Sequence, residues 1–197
     1  MTDAVATRRP LALAITLIVT GAIGWYAAFA LTLDKLAVLI DPQAVLDCNI
    51  SVIVQCGVNL GSWQGAILGF PNPLIGIAGF VAPIAVGVGL LARATFARWF
   101  WITFNTGVAG AFAFCLWLAY QSIFNLGTLC PWCMLVWSMT IPMFWTLTLY
   151  NARAGVFGAR LERVGSRLYS WVPAITVGTY LVIAIVAQVR LDVLATL

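Results

Sequence analysis

Four stretches of this sequence carry no charged side chain: Pro10 to Leu33, Cys48 to Ala92, Trp99 to Ala152 and Leu168 to Gln188. A helix that crosses the hydrocarbon core of a bilayer needs about 20 apolar residues, so the first and last stretches each hold one span. Trp99 to Ala152 is long enough for two spans with a short turn between them. Cys48 to Ala92 differs, because its opening CNISVIVQCGVNLGSWQG carries Asn, Ser, Gln and Gly, and only Leu74 to Ala92 reads as a clean span. The pattern predicts five helices, at about 11–33, 74–92, 99–123, 130–150 and 171–189.

Composition agrees with that reading. The chain is 63% hydrophobic and 8% charged, with a mean hydropathy of +1.03, whereas a soluble domain carries charge on about a quarter of its residues. The expected class is an all-α integral membrane protein. Its spans hold no charged residue, which argues against a transporter, since substrate pathways need polar or ionisable groups. Lys and Arg then set the orientation. Arg8 and Arg9 precede the first span, Arg93 and Arg98 join the second to the third, and Arg153, Arg160, Arg163 and Arg167 join the fourth to the fifth. These eight of the ten basic residues share one side, which is expected to be cytoplasmic. The net charge of +4 therefore reflects topology, and no basic surface for nucleic acid emerges. Leu11 to Leu33 exceeds a usual signal-peptide core and no strong small-residue cleavage site follows it, so it reads as an anchor with the N-terminus cytoplasmic.

The five cysteines are Cys48, Cys56, Cys115, Cys130 and Cys133. With the sides chosen by Lys and Arg alone, Cys48 and Cys56 fall in the outer loop and Cys130 and Cys133 at the outer end of the fourth span. That is the compartment where disulfides persist. In GTLCPWCMLVW, Pro131 suits a first helical turn and puts Cys130 at the helix start. Unpaired N–H groups and the positive end of the helix dipole stabilise a thiolate there. With no His in the chain and no acid or base near the motif, the helix end is expected to do most of the activation. A structural disulfide and a zinc half-site are the alternatives. Cys48 and Cys56 lack the short ligand spacing of zinc sites, so no metal is assigned.

Cys48 and Cys56 read as a second, looser pair in a flexible loop, either a static staple or the mobile half of a relay. In the relay, the loop pair collects electrons from a soluble partner and hands them to Cys130 and Cys133 by direct attack of sulfur on sulfur. Cys115, mid-span, is expected to behave as a small hydrophobe.

The electrons then need an acceptor. The chain offers no His for haem and no dinucleotide-binding glycine motif, which points to a lipid-soluble quinone in a slot among the helices. Trp132, Trp137 and Phe124 lie near the motif in sequence, and Gly76, Ala78 and Gly79 allow close approach in the second span. These aromatic and small residues equally suit a membrane interface and helix contacts. In GSWQGAILGFPNP, Trp63, Ala66, Ile67 and Phe70 recur at helical spacing, predicting a short amphipathic helix capped by Ser62 and ended by Pro71 to Pro73. Asn72 can donate a hydrogen bond to a quinone carbonyl or serve as a plain turn residue.

This order of features resembles the vitamin K epoxide reductase family in its bacterial, quinone-linked form. The likeness spans roughly Leu11 to Tyr150: a first span, an outer loop with Cys48 and Cys56, then Ser62-Trp63, Asn72 before the second span, and the Cys130/Cys133 motif opening the fourth. In the DsbB type of membrane thiol oxidase the two pairs occur in the opposite order. The resemblance implies that Cys133 reacts with quinone, that Cys130 exchanges with Cys56, and that Cys48 is nearest the soluble partner. It also implies that Ser62 and Asn72 flank the quinone head group; Phe124 and Trp137, near the motif in sequence, are expected to bind the quinone as well. Trp137 stands where vertebrate members carry a Tyr, a departure that leaves epoxide reduction outside what the resemblance implies. Bacterial members often carry a thioredoxin-like domain after the fifth span, and only seven residues follow Arg190 here.

The expected organisation is a catalytic four-helix bundle around a quinone over 1–150, with an outer loop 34–73. A basic cytoplasmic loop 151–170 and a fifth transmembrane helix with a short tail, 171–197, complete it. The expected activity is that of a thiol oxidase in the bacterial inner membrane, active site outward. It would reoxidise a separate thioredoxin-fold (DsbA-like) extracytoplasmic protein and reduce menaquinone or ubiquinone. A non-enzymatic scaffold with structural disulfides is the competing reading.

Overall fold

The computed structural model describes residues 10–196 and is helical almost throughout. Arg8 and Arg9, which helped to orient the chain, lie outside the described residues. Among the described residues, five helical stretches are long and apolar enough to cross a membrane: Leu11–Ile40, Pro73–Leu91, Arg98–Leu126, Pro131–Arg153 and Ala159–Leu191. Within these, α1 is Leu11–Ile40, α3 Pro73–Leu91, α4 Arg98–Tyr120 and α5 Pro131–Arg153. The last stretch comprises α6, Ala159–Leu168, and α7, Val172–Leu191. A short α2, Gly57–Gly61, lies in the outer loop, and α8, Val193–Thr196, follows α7.

Proline and glycine punctuate the helices as their backbone chemistry requires. Pro73 and Pro131 open α3 and α5, where a missing N–H costs nothing. Helix α4 loosens into a π turn over Gln121–Leu126, and Gly127 stops it by adopting a left-handed conformation (φ 67°).

Lipid offers no hydrophobic drive for helices to associate, so close van der Waals packing and buried hydrogen bonds hold the bundle. Helix α1 packs most extensively on α3 and next on α5. At the first contact a Cβ on Gly87 would lie 2.8 Å from the Ala14 carbonyl oxygen, and one on Gly21 2.7 Å from Ile84 Cγ1. Only glycine lets these two backbones approach so closely. Leu13, Leu17 and Leu147 are completely buried in the core below. Between α4 and α5, the fully buried Asn151 donates to Asn105 at 3.1 Å. Helix α7 leans on the outside of α5, with Trp145 donating to Thr179 and Tyr180 to the Ser138 carbonyl.

Three expectations change. The first helix does not stop at Leu33 but runs to Ile40. Thirty residues span about 45 Å, against about 30 Å of hydrocarbon, so its last turns stand clear of the membrane and can carry Asp34 and Lys35. The segment 151–170 is largely the amphipathic helix α6, not a loop, with Gly165 packed against the end of α5. The helix expected to start at Ser62 is instead α2 followed by a 3-10 turn, Trp63–Ala66. Ser62 does not cap that turn; its hydroxyl donates back to the Asn59 carbonyl at 2.8 Å.

The basic connections do gather at one end. Arg98, after the α3–α4 turn, donates to the Val156 carbonyl in the α5–α6 turn at 2.9 Å. The cysteine-bearing loop and the start of α5 lie at the other end.

Candidate active site

Cys48 and Cys56 form a disulfide across eight residues. Cys130 and Cys133 are free thiols, and Cys130 Sγ lies 3.3 Å from Cys56 Sγ. Cys56 and Cys130 are both fully buried. The two pairs separated by 74 residues of sequence therefore already touch.

Backbone pairing brings them together. The strand-like tip of the loop bonds to the residue before Cys130: Leu129 N–H donates to the Ile53 carbonyl at 2.7 Å, and Gln55 N–H to the Leu129 carbonyl at 3.0 Å. Asn49 Oδ1 accepts from the N–H groups of Cys56 and Gly57, which holds the disulfide ring closed on itself. Asn59 donates to Thr128 at 2.9 Å, and Lys35 on the projecting end of α1 donates to the Leu60 carbonyl at 2.7 Å. Leu31, Leu46 and Leu60 pack round Cys48, Cys56 and Cys130. The loop is therefore pinned at its Cys56 end by backbone and side-chain hydrogen bonds, while Val45, Ile50 and Val52 on it stay exposed.

Cys130 occupies the N-cap of α5 and its sulfur accepts from Cys133 N–H at 3.4 Å. Its thiol is held below the ordinary value, first by a hydrogen bond from the Cys133 side chain and then by the N–H groups of Cys133 and Trp132, against the opposing effect of burial. The helix end thus contributes as expected, alongside the neighbouring thiol. Asp34 Oδ2 lies 3.4 Å from Cys48 Sγ. This carboxylate was not singled out from the sequence, since it is distant from Cys48 along the chain and only the extended α1 presents it to the loop.

Beneath the pairs lies a cavity of about 830 Å³, bounded by α1, the outer loop, α3, α4 and α5. Helix α3 packs on α1 and α4 on α5, which leaves the space between α3 and α4 to the cavity. Its lining is almost wholly apolar and includes no charged residue, while Cys133 and Trp137 border it. Helix α7 contributes nothing to it. A neutral ring with an apolar tail suits such a space, and the free Cys133 at its wall is compatible with a redox-active ring.

Of the residues expected beside a quinone, Ser62, Asn72, Cys133 and Trp137 line this cavity. Phe124 does not. The π turn carries it outward, where it stacks on Tyr120 with ring centroids 4.8 Å apart. Asn72 reaches the cavity, but its amide is engaged in closing the preceding turn, donating to the Gln64 carbonyl at 2.6 Å and accepting from Ile67 N–H at 3.1 Å. Trp132 packs near Cys130 and meets Tyr26 edge-on, away from the cavity lining. Gly76 and Gly79 line the cavity, as does Cys115, whose thiol donates to Thr140 Oγ1 at 3.7 Å. Gln64 and Gln121 also line it and were missed. Neither stands out in the sequence, since each lies among other polar residues, Asn59 and Ser62 before Gln64 and Ser122 and Asn125 after Gln121.

A helical membrane bundle that brings a disulfide into contact with a free thiol at a helix start defines a membrane disulfide oxidoreductase. The profile of the vitamin K epoxide reductase family matches residues 15–148, and the chain belongs to that family. A search among curated proteins returned no match.

Proposed function

We propose that the protein oxidises the thiols of a separate thioredoxin-fold partner outside the cytoplasm and passes the electrons to a membrane quinone. The observation that carries this reading is the 3.3 Å approach of Cys130 Sγ to Cys56 Sγ, beside a cavity bordered by Cys133. Thiol–disulfide exchange needs sulfurs within reach of one another and a good leaving thiolate, and the lowered Cys130 thiol is that leaving group when Cys48 attacks Cys56.

The partner's dithiol reduces Cys48–Cys56 and leaves as a disulfide. Cys56 then attacks Cys130 of an oxidised Cys130–Cys133 pair, so that a Cys56–Cys130 bond forms and Cys133 is released. Attack of Cys48 on Cys56 restores the loop disulfide and frees Cys130. That end point, with the loop pair oxidised and both motif thiols free, is the arrangement described above. A bound quinone supplies the two-electron acceptor. The Cys130 and Cys133 thiols give up two electrons and two protons as their disulfide re-forms. Burial keeps water from the exchanging sulfurs, and Trp137 walls the cavity beside Cys133. By the excess of Arg at the other end, the cysteine end faces outward. An inert scaffold would not need a free, activated thiol against its disulfide.

The test uses the purified protein in detergent, with a reduced thioredoxin-fold protein or dithiothreitol as donor and short-chain ubiquinone or menaquinone as acceptor. Quinone reduction is followed by absorbance and the disulfides by peptide mapping. The reading expects turnover, with motif thiols oxidised only when quinone is present. Absence of turnover with either quinone, and disulfides unaltered by it, would sink it.

A further inference from the structure

We propose that Gln64 is a binding residue that distinguishes the two redox forms of the ring ligand, accepting a hydrogen bond from a quinol hydroxyl through Oε1. This rests on the quinone reading above and assigns a residue that selects between substrate and product within that site.

Gln64 lines the cavity and is only 7% exposed. Its Oε1 is buried and has no hydrogen-bond partner. A buried acceptor left unpaired costs free energy, and one beside a ligand cavity can be satisfied by a ligand that donates to it. Which end of the amide faces the ligand follows from the neighbouring amides. Gln121 Oε1 accepts from Asn125 and also faces Gln64, whose NH₂ donates to it at 3.3 Å. With the NH₂ directed at Gln121, the carbonyl end is the one that remains. The backbone carbonyl of Gln64 is tied down by Asn72 at 2.6 Å, so the residue is anchored while its terminal torsion, soft in any Gln, can turn Oε1 toward an incoming hydroxyl.

The chemistry of the ligand decides the consequence. A quinone presents only carbonyl oxygens, which are acceptors and cannot satisfy Oε1. The quinol that replaces it presents two O–H donors. No charged residue lines the cavity, so no stronger group competes for the hydroxyl. Gln64 therefore favours the product form, which draws the transfer from Cys130 and Cys133 toward completion and makes product release sensitive to this residue.

The experiment measures binding of a short-chain quinone and of its quinol, the latter under argon, in a Cys130→Ala, Cys133→Ala background that cannot turn over. Quenching of tryptophan fluorescence gives each Kd, since Trp137 lines the cavity. Gln64→Met keeps the length of the side chain and removes the acceptor. It is expected to weaken quinol binding about tenfold, the worth of one buried hydrogen bond, with little change for quinone. Gln121→Met leaves Gln64 intact but frees its NH₂ to face the ligand, and is expected to tighten quinone relative to quinol. Equal changes for both ligands, or a larger loss of quinone than of quinol in Gln64→Met, would overturn the assignment while leaving the functional reading intact. Failure of the background protein to bind either ligand would overturn both.

Discussion

Cys56 and Cys130 carry the tightest requirement at the level of single residues, because exchange fails if either sulfur moves away by a few ångströms. Their 3.3 Å contact makes the order of the relay testable. In Cys133→Ala, Cys130 can no longer close its own motif disulfide, and its neighbouring sulfur is Cys56. A Cys56–Cys130 bond is expected to accumulate while quinone reduction stops, and more firmly when Cys48 is also replaced, since Cys48 is the sulfur that would release it. Peptide mapping reads the linkage. A Cys48–Cys130 bond would reverse the order, and neither bond would show that the pairs do not exchange. The four cysteines could be picked out in the sequence as two pairs on one side. Asp34 and Gln64 could not be assigned in the same way, because a carboxylate beside a disulfide and an unpaired amide in a cavity are relations between distant residues, invisible to local spacing.

Among the helices, two glycines that look alike in sequence do opposite things. Gly87 on α3 lies where a Cβ would meet the α1 backbone at 2.8 Å, whereas a Cβ on Gly107 of α4 meets nothing within 4 Å and points at the open cavity it lines. Gly87→Leu is expected to overpack the α1–α3 contact and cost about 1–3 kcal/mol, read as a lowered thermal midpoint in detergent. Gly107→Leu is expected to leave the midpoint unchanged but to weaken quinone binding by filling part of the cavity. Equal loss of stability in both would place Gly107 in a helix contact. The same scale explains the misjudged outer segments. Charge ended the first span at Leu33 in the sequence, yet charge ends a membrane core rather than a helix, and α1 continues seven residues further to Ile40. Likewise 151–170 is rich in Arg, which excludes hydrocarbon but not helix, so α6 forms there.

For the whole molecule, five spans place the start of α1 with the Arg-bearing turns and the end of α7 with the cysteines. Ile183 and Ala187 of α7 pack near Leu129, just before Cys130. Tags at the two ends of the chain should therefore be cleaved from opposite sides of a sealed membrane, the N-terminal one from the cytoplasm. Cleavage of both from one side would remove a span and break the proposed outward placement of the cysteines. By itself the sequence determined the membrane class, the number of spans, the shared side of the Arg-rich turns and the grouping of four cysteines at the far end. These follow from composition and from charge along the chain, which the bilayer reads residue by residue. Only the tertiary structure decided that the Cys56 end of the loop is pinned to the start of α5, that Cys56 rests on Cys130, that Phe124 turns away from the cavity and that Gln64 lines it with an unpaired Oε1. The Phe124 turn is a local loosening of α4, and the others depend on hydrogen bonds and contacts between segments up to 74 residues apart, as between Cys56 and Cys130, pairings that leave no periodic trace in the residues that make them.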